Sequence, residues 1–318
     1  MLYISAKDIE QSISLEILMS AIEQAYQIDS KGEYFMPDRI HVEHKENTLL
    51  YMPCFTDDVF GTKMLTIFPE NSKKNLPVID GFVFLHDSDN GKPLAMIDGG
   101  SLTAYRTGAV GGVGINHTVP KDVKTLGLIG TGTQGFYQIL YACAVRDFET
   151  IYIYNRTQEK IDSFISKLQV ALPNHKFEAV DSSDSLVQKS DVIITATSSS
   201  DPVMADNPLL FKNKHFISIG SYTPDMRELP KAIYSNLEDI YVDTLFAKEE
   251  SGDLATPLKE NWINDSQIKP FSHALNQNGI SNKTTLFKSV GMGLFDLIVA
   301  NTIYKTIKNK NLGQNIEL

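Results

Sequence analysis

Leu15, Leu18, Met19, Ile22, Ala25 and Tyr26 recur at the spacing of one helix face between Ser14 and Gly32. That pattern predicts a helix capped by Ser14 and stopped by Gly32. Beyond Arg39 the period shortens. Thr48–Met52 and Gly61–Phe68 are short runs of apolar and β-branched residues on either side of Thr56-Asp57-Asp58, and they predict strands joined by a turn. Gly81–Leu85 and Pro93–Ile97 predict two more, joined by Asp87-Ser88-Asp89-Asn90-Gly91, in which Asn-Gly is a strong turn signal. The first third reads as a helix plus an antiparallel sheet.

Ser101–Ile115 predicts a helix of small residues, including Ala104, Gly108, Ala109, Gly111, Gly112 and Gly114. Each glycine costs such a helix about 1 kcal/mol relative to alanine, so the expected return is close packing against another backbone. The polar linker Val119-Pro120-Lys121-Asp122 follows, and strand and helix then alternate. Strands are predicted at Thr125–Ile129, Thr150–Tyr154, Phe177–Val180, Val192–Ala196, Phe216–Ile219 and Ile240–Val242. A helix to Val145 and another over Gln158–Leu168 fall between the first of them, which is the rhythm of a parallel sheet covered on both faces. The last predicted helix, Val290 to about Ile307, carries Leu294, Leu297, Ile298 and Ile303.

Composition narrows this picture. The 318 residues are 42% hydrophobic and 21% charged, globular values that exclude a disordered chain and leave room for two domains. Acidic side chains outnumber basic ones by 39 to 29, a net charge of −10 that argues against nucleic acid or an anionic membrane as partner. Cys54 and Cys143 are too few for a disulfide framework and lack metal spacing. The seven histidines, His41, His44, His86 and His117 among them, show no ligand spacing either, so no metal is expected. Charge at Lys7 and Asp8 interrupts any signal-type apolar region, and no apolar run approaches a bilayer span, so the expectation is a cytoplasmic protein.

The strongest chemical signal is Gly130-Thr131-Gly132-Thr133-Gln134-Gly135, which follows a predicted strand and opens a helix. In a dinucleotide-binding loop the first glycine permits the tight turn, the second admits the pyrophosphate and the third lets helix pack on strand. The helix N-terminus supplies free N–H groups to the diphosphate. At the end of the next strand an NAD site usually carries a carboxylate for the ribose; here stands Asn155-Arg156-Thr157. Without that carboxylate, Arg156 and the Thr157 hydroxyl are placed to take a 2′-phosphate, so NADP(H) is the expected cofactor, with NAD(H) the alternative. The first third offers Arg39, Lys63 and Arg106 as anchors for a substrate carboxylate, though each taken alone reads first as a surface or salt-bridged side chain.

The segment Asp98-Gly99-Gly100-Ser101-Leu102-Thr103-Ala104-Tyr105-Arg106-Thr107-Gly108-Ala109 resembles the signature of the ornithine cyclodeaminase/mu-crystallin family. Gly130-Thr131-Gly132-Thr133-Gln134 and Phe287-Lys288-Ser289-Val290-Gly291 resemble it too, in matching order over nearly the whole chain. The resemblance implies an α/β protein: an α+β substrate-binding and dimerisation domain over residues 1–120, completed by about 295–318, and a Rossmann-type NAD(P)-binding domain over 121–294. It implies that Arg39, Lys63 and Arg106 hold the substrate carboxylate, with Lys63 and Arg106 as catalytic residues, and that Ser289 and Val290 lie near nicotinamide and substrate. Thr133 and Gln134 would contact the pyrophosphate, Asn155 and Arg156 the adenosine ribose, and Thr197 the adenine or nicotinamide side. A homodimer is implied as well.

One position departs from the cyclodeaminase pattern. Ornithine cyclodeaminases carry an aspartate two residues after the glycine that is Gly220 here, and this chain has Tyr222. A neutral phenol cannot pair with a distal ammonium as a carboxylate does. Asp225 reads as a turn residue rather than a replacement, and Pro224-Asp225-Met226-Arg227-Glu228-Leu229 is closer to the mu-crystallin and ketimine-reductase branch. The expected activity is therefore NAD(P)H-dependent reduction of a small cyclic imino acid such as Δ1-pyrroline-2-carboxylate to an L-amino acid. The alternatives are an ornithine cyclodeaminase or related amino-acid dehydrogenase, and a non-catalytic protein that binds NADPH and a small ligand.

Overall fold

The computed structural model describes residues 1–74, 76–275 and 283–317. They form two compact units, Met1–Arg106 with Met292–Leu318, and Thr107–Gly291. The first unit opens with β1 (Leu2–Ile4), α1 (Ala6–Ser12) and α2 (Leu15–Lys31). Ser14 caps α2 by accepting from the Ile17 N–H, and Gly32 ends it at φ +67°. Four antiparallel strands follow, β2 (Ile40–His44), β3 (Asn47–Phe55), β4 (Val59–Ile67) and β5 (Ile79–Asp87), and then β6 (Pro93–Asp98). Leu50, Met52 and Cys54 of β3 are buried, as are Val59, Gly61, Lys63 and Leu65 of β4, while their neighbours are half exposed. This is the period-two burial of a sheet with one covered face. Lys63 is the odd member of that buried row.

The helix α3 (Gly99–Thr118) carries the chain into the second unit. Its glycines make room for side chains rather than for a backbone, which corrects the expectation from composition. A Cβ on Gly108 would strike the Tyr141 ring, one on Gly111 the Gln138 amide and one on Gly114 the Phe287 ring. Bulky aromatic and amide groups thus pack against the helix backbone itself.

The second unit contains β7 (Thr125–Ile129), α4 (Thr133–Val145), β8 (Thr150–Tyr154), α5 (Ile161–Ala171), β9 (Lys176–Ala179), α6 (Ser183–Lys189) and β10 (Val192–Thr195). It continues through β11 (His215–Ser218), α7 (Lys231–Tyr234), β12 (Ile240–Val242), α8 (Ala247–Glu250), α9 (Gly252–Lys259), β13 (Ile268–Pro270), α10 (Ser272–Leu275) and β14 (Thr285–Lys288). All eight strands are parallel, in the order β13-β12-β14-β11-β10-β7-β8-β9. The chain winds outward from β7 in one direction and from β10 in the other, so the strand order reverses between these two. In doubly wound sheets such a switch point, at the carboxyl ends of the strands, is where ligands bind.

The chain then returns to the first unit with α11 (Gly293–Asn309), which packs across β3, β4 and β5, and closes with β15 (Gln314–Asn315). The first unit's seven-stranded sheet runs β15-β1-β6-β5-β4-β3-β2. Phe295 of α11 meets Tyr26 of α2 edge-on, with ring centroids 4.9 Å apart. Among the described residues no helix is long and apolar enough to cross a membrane.

Candidate active site

Within the first unit, period-two alternation turns Lys63 toward α11, where an aspartate waits. The Lys63 Nζ lies 2.7 Å from Asp296 Oδ2, and the Arg106 Nε–H donates to Asp296 Oδ1 at 2.9 Å. The Lys63 and Asp296 side chains are each only 2% exposed. Burial lowers the Lys63 pKa to about 8 despite its ion pair, and the charges of Arg106 and Arg39 push the same way. Burial alone would raise the Asp296 carboxyl, but Arg106 and Lys63 outweigh it and hold that group below the usual carboxylate range. Arg39 is half buried in the segment before β2. Lys63 and Arg106 therefore share one carboxylate in a largely desolvated place, with the charge of Arg39 acting on Lys63, and the surplus positive charge suits a second carboxylate.

In the second unit the glycine loop has the geometry that its spacing predicts. Gly130 ends β7 at φ +110°, and a Cβ there would sit 2.5 Å from the Ala196 carbonyl oxygen at the end of β10. Gly135 packs against the Gly130 carbonyl, whereas a Cβ on Gly132 would meet nothing within 4 Å. The open approach therefore lies at Gly132, the N-cap of α4, with Thr133 exposed and Gln134 half buried in the first turn. The Gln134 side-chain oxygen is buried without a hydrogen-bond partner among the described residues. Asn155 ties the loop to the end of β8: its Oδ1 accepts from the Thr131 N–H at 3.3 Å, and its amide donates to the Thr157 carbonyl at 2.8 Å. Arg156 and Thr157 are exposed beside it. An open backbone cradle at a helix N-terminus, at the switch point of a parallel sheet, fits a dinucleotide.

The neighbouring strand ends rest on buried acids that the sequence did not single out as site residues. Glu228 accepts from the Thr197 N–H at 2.6 Å and hydroxyl at 2.7 Å, from the Thr195 hydroxyl at 2.8 Å and from the Gly220 N–H at 2.9 Å. One carboxylate thus sets the loops that leave β10 and β11. Burial pushes its pKa up, partly offset by the charge of Lys288. Asp253 accepts from the N–H groups of Glu228 and Leu229, and Lys288 Nζ lies 3.5 Å from its Oδ2. Asp243 accepts from the Ser289 hydroxyl and from the N–H groups of Val290 and Gly291, at 2.7, 3.0 and 2.7 Å. Thr197, Ser289 and Val290 are accordingly held by acids rather than free.

One family matches the chain along nearly its whole length. The sequence model of the ornithine cyclodeaminase/mu-crystallin family matches residues 2–311. The chain belongs to this family. It is 33% identical to a Δ1-pyrroline-2-carboxylate reductase of Bacillus cereus strain ZK / E33L, over the full length of both. Its fold matches the Δ1-pyrroline-2-carboxylate reductase of Thermococcus litoralis, solved with NADH and L-proline, at a TM-score of 0.92 and 30% identity, covering 99% of this chain and all of the other. The iminosuccinate reductase of Paracoccus denitrificans, solved with NAD+, matches at 0.90 and 27%, covering 100% of this chain and 99% of that one.

Within the ornithine cyclodeaminase/mu-crystallin family this member has its Tyr222 side chain 42% exposed and no carboxylate at that position. Burial of the remainder raises the phenol pKa further, which keeps the group neutral. Asp225 is exposed on the adjoining turn. The acid of this segment that is built into the structure is Glu228, whose backbone N–H donates to Asp253 of α9.

Proposed function

We propose that this family member reduces the C=N bond of a small cyclic imino acid, Δ1-pyrroline-2-carboxylate or a close ketimine, giving a cyclic L-amino acid. The observation that carries the reading is the buried cluster in which Lys63 and Arg106 share Asp296. Joined by Arg39, it leaves positive charge for a substrate carboxylate. The Δ1-pyrroline-2-carboxylate reductases of Bacillus cereus and Thermococcus litoralis, to which the chain is similar, support the substrate class. Lys63 and Arg106 act as catalytic residues, and Arg39 completes the carboxylate clamp. A bound reduced nicotinamide supplies the hydride.

The protein must hold the carboxylate, exclude water and provide a proton. Hydride adds to the imine carbon while the C=N π electrons move to nitrogen, which therefore needs a proton to leave as an amine. Lys63, with a pKa near 8, is protonated at neutral pH yet releases its proton far more readily than an exposed lysine. Asp296 holds Lys63 and Arg106 in place before the substrate arrives. Fixing two reactants in this way supplies several kcal/mol of barrier lowering.

NADP(H) is the preferred cofactor in this reading, since the loop after β8 offers Arg156 and Thr157 and no carboxylate against a 2′-phosphate. Gly130, Gly132 and Gly135 shape the cradle; Thr133, Gln134, Asn155, Thr197 and Ser289 complete it, and Val290 borders the substrate. The working form is a homodimer. In its support, the outer face of the first unit's sheet carries a ladder of rings, with Phe55 stacked on Phe60 at 5.1 Å and Phe60 on His86 at 4.9 Å. Phe35 and Phe55 at its edge are 65% and 41% exposed.

The deciding experiment follows NADPH and NADH oxidation with Δ1-pyrroline-2-carboxylate, with stoichiometric L-proline as the product. Absence of turnover with this and other cyclic ketimines would overturn the reductase reading. Arg156→Ser should remove the preference for NADPH; a wild-type preference for NADH of about tenfold would overturn the role of Arg156.

A further inference from the structure

In the parallel sheet of the second unit the last residues of three adjacent strands lie on one rung. Thr195 of β10 pairs with Ser218 of β11, and Ser218 with Lys288 of β14. Strands covered on both faces normally carry apolar side chains at such positions, yet these three are polar and buried. They converge on Glu228, which is buried as well. The Thr195 hydroxyl donates to Glu228 Oε2 at 2.8 Å, the Ser218 hydroxyl lies 3.3 Å from the same oxygen, and the Lys288 ammonium donates to that hydroxyl at 3.1 Å. The two carboxylate oxygens divide two loops between them. Oε1 accepts from the N–H and the hydroxyl of Thr197, just beyond β10, and Oε2 accepts from the N–H of Gly220, just beyond β11. The rung starts beside the glycine loop, because Thr195 pairs on its other side with Ile129, the residue before Gly130. A Cβ on Gly130 would come within 3.0 Å of the Thr197 methyl, and one on Gly220 within 2.5 Å of the Thr197 nitrogen and of Glu228 Oε1. Thr197 is thus wedged between the first glycine of the loop and Gly220, and Glu228 fixes it there.

We propose that Glu228, on the reading that the glycine loop binds a nicotinamide dinucleotide, is a positioning residue for that cofactor. It acts through Thr197 and the loop after β11, which it holds as a wall beside Gly130. Asp253, which accepts from the Glu228 and Leu229 N–H groups at 2.8 and 2.9 Å, and the ammonium of Lys288 hold Glu228 in turn. A carboxylate accepts a backbone N–H on each of its oxygens, whereas an amide offers one oxygen and one NH2 group. Glu228→Gln therefore sets a donor against the N–H of either Thr197 or Gly220 and releases one loop with almost no change in volume.

Fluorescence titration of the full chain with NADPH and with NADH tests it, beside steady-state reduction of Δ1-pyrroline-2-carboxylate. In Glu228→Gln the Kd of the tighter dinucleotide should rise about tenfold or more. The KM for that dinucleotide should rise with it, while kcat at saturating cofactor stays within about threefold of the parent. Asp191→Ala is the reference for a purely structural acid. Asp191 accepts from the N–H groups of Lys124 and Thr125 and from the Thr125 hydroxyl, at the opposite, amino ends of β7 and β10. Its loss should lower the thermal midpoint and leave the Kd within about twofold. Thr195→Val removes one hydroxyl from Glu228 and keeps the shape of the strand; it should raise the Kd about threefold and carries the test if Glu228→Gln does not fold. Unchanged affinity in Glu228→Gln, or in Thr195→Val where Glu228→Gln does not fold, overturns the proposal and leaves the cradle itself intact. An equal loss of affinity in Asp191→Ala does the same. A parent chain that binds neither dinucleotide overturns both.

Discussion

Lys63 has its pKa lowered to about 8, and the proposed clamp needs it charged to hold a carboxylate. Affinity for a carboxylate without a titrating nitrogen, such as cyclopentanecarboxylate, should therefore be level below pH 8 and decline above it. The limiting slope is about tenfold per pH unit. Asp296 is the charge that keeps this lysine protonated, so Asp296→Asn should move the onset of the decline to lower pH. Binding titrations over pH check both, and an unmoved onset would remove Asp296 from this role. Lys63→Ala takes away a buried, charge-assisted partner and should lower kcat/KM by about 100-fold or more. Arg39, Lys63 and Arg106 were visible in the sequence only as three scattered cations, and the family resemblance grouped them. Asp296 gave no comparable signal. Its one trace is an acid among Leu294, Phe295, Leu297 and Ile298, all buried on the same helix.

At the scale of elements, α3 is built around the groups that press on its glycines. A Cβ on Gly114 would lie within 2.7 Å of Phe287 Cε1. Gly114→Ala should cost about 1–2 kcal/mol in chemical denaturation, because overpacking outweighs alanine's helix preference of about 1 kcal/mol. The end of α3 is held by Arg146, which donates to the carbonyls of Ile115, Asn116, Val119, Pro120 and Val145 and to the Asn116 side chain. Arg146→Met leaves those carbonyls without their donor and should destabilise the fold by about 2–4 kcal/mol, measured the same way. The long helices and central strands were legible because their periodicity is dictated locally. β1, β13, β14 and the short helices α7, α8 and α10 were not, since three or four residues carry too little pattern to register.

For the whole molecule, the net charge of −10 coexists with a buried positive cluster, so the charge of the surface says nothing about the charge of the site. If the ring ladder on the outer sheet face joins two copies, Phe55→Asp combined with Phe35→Asp should halve the mass seen in sedimentation. An unchanged mass would place the contact elsewhere.

By itself the sequence determined the alternation of strand and helix, the place of the glycine loop and the absence of a carboxylate after β8, because each depends on residues adjacent along the chain. The tertiary structure decided which acids meet the cations and strand ends. Asp296 meets Lys63 and Arg106 across 233 and 190 positions of sequence, and Glu228 reaches back 31 residues to Thr197. A carboxylate's role is set by which donors surround it once it is buried, and that neighbourhood exists only in the folded chain.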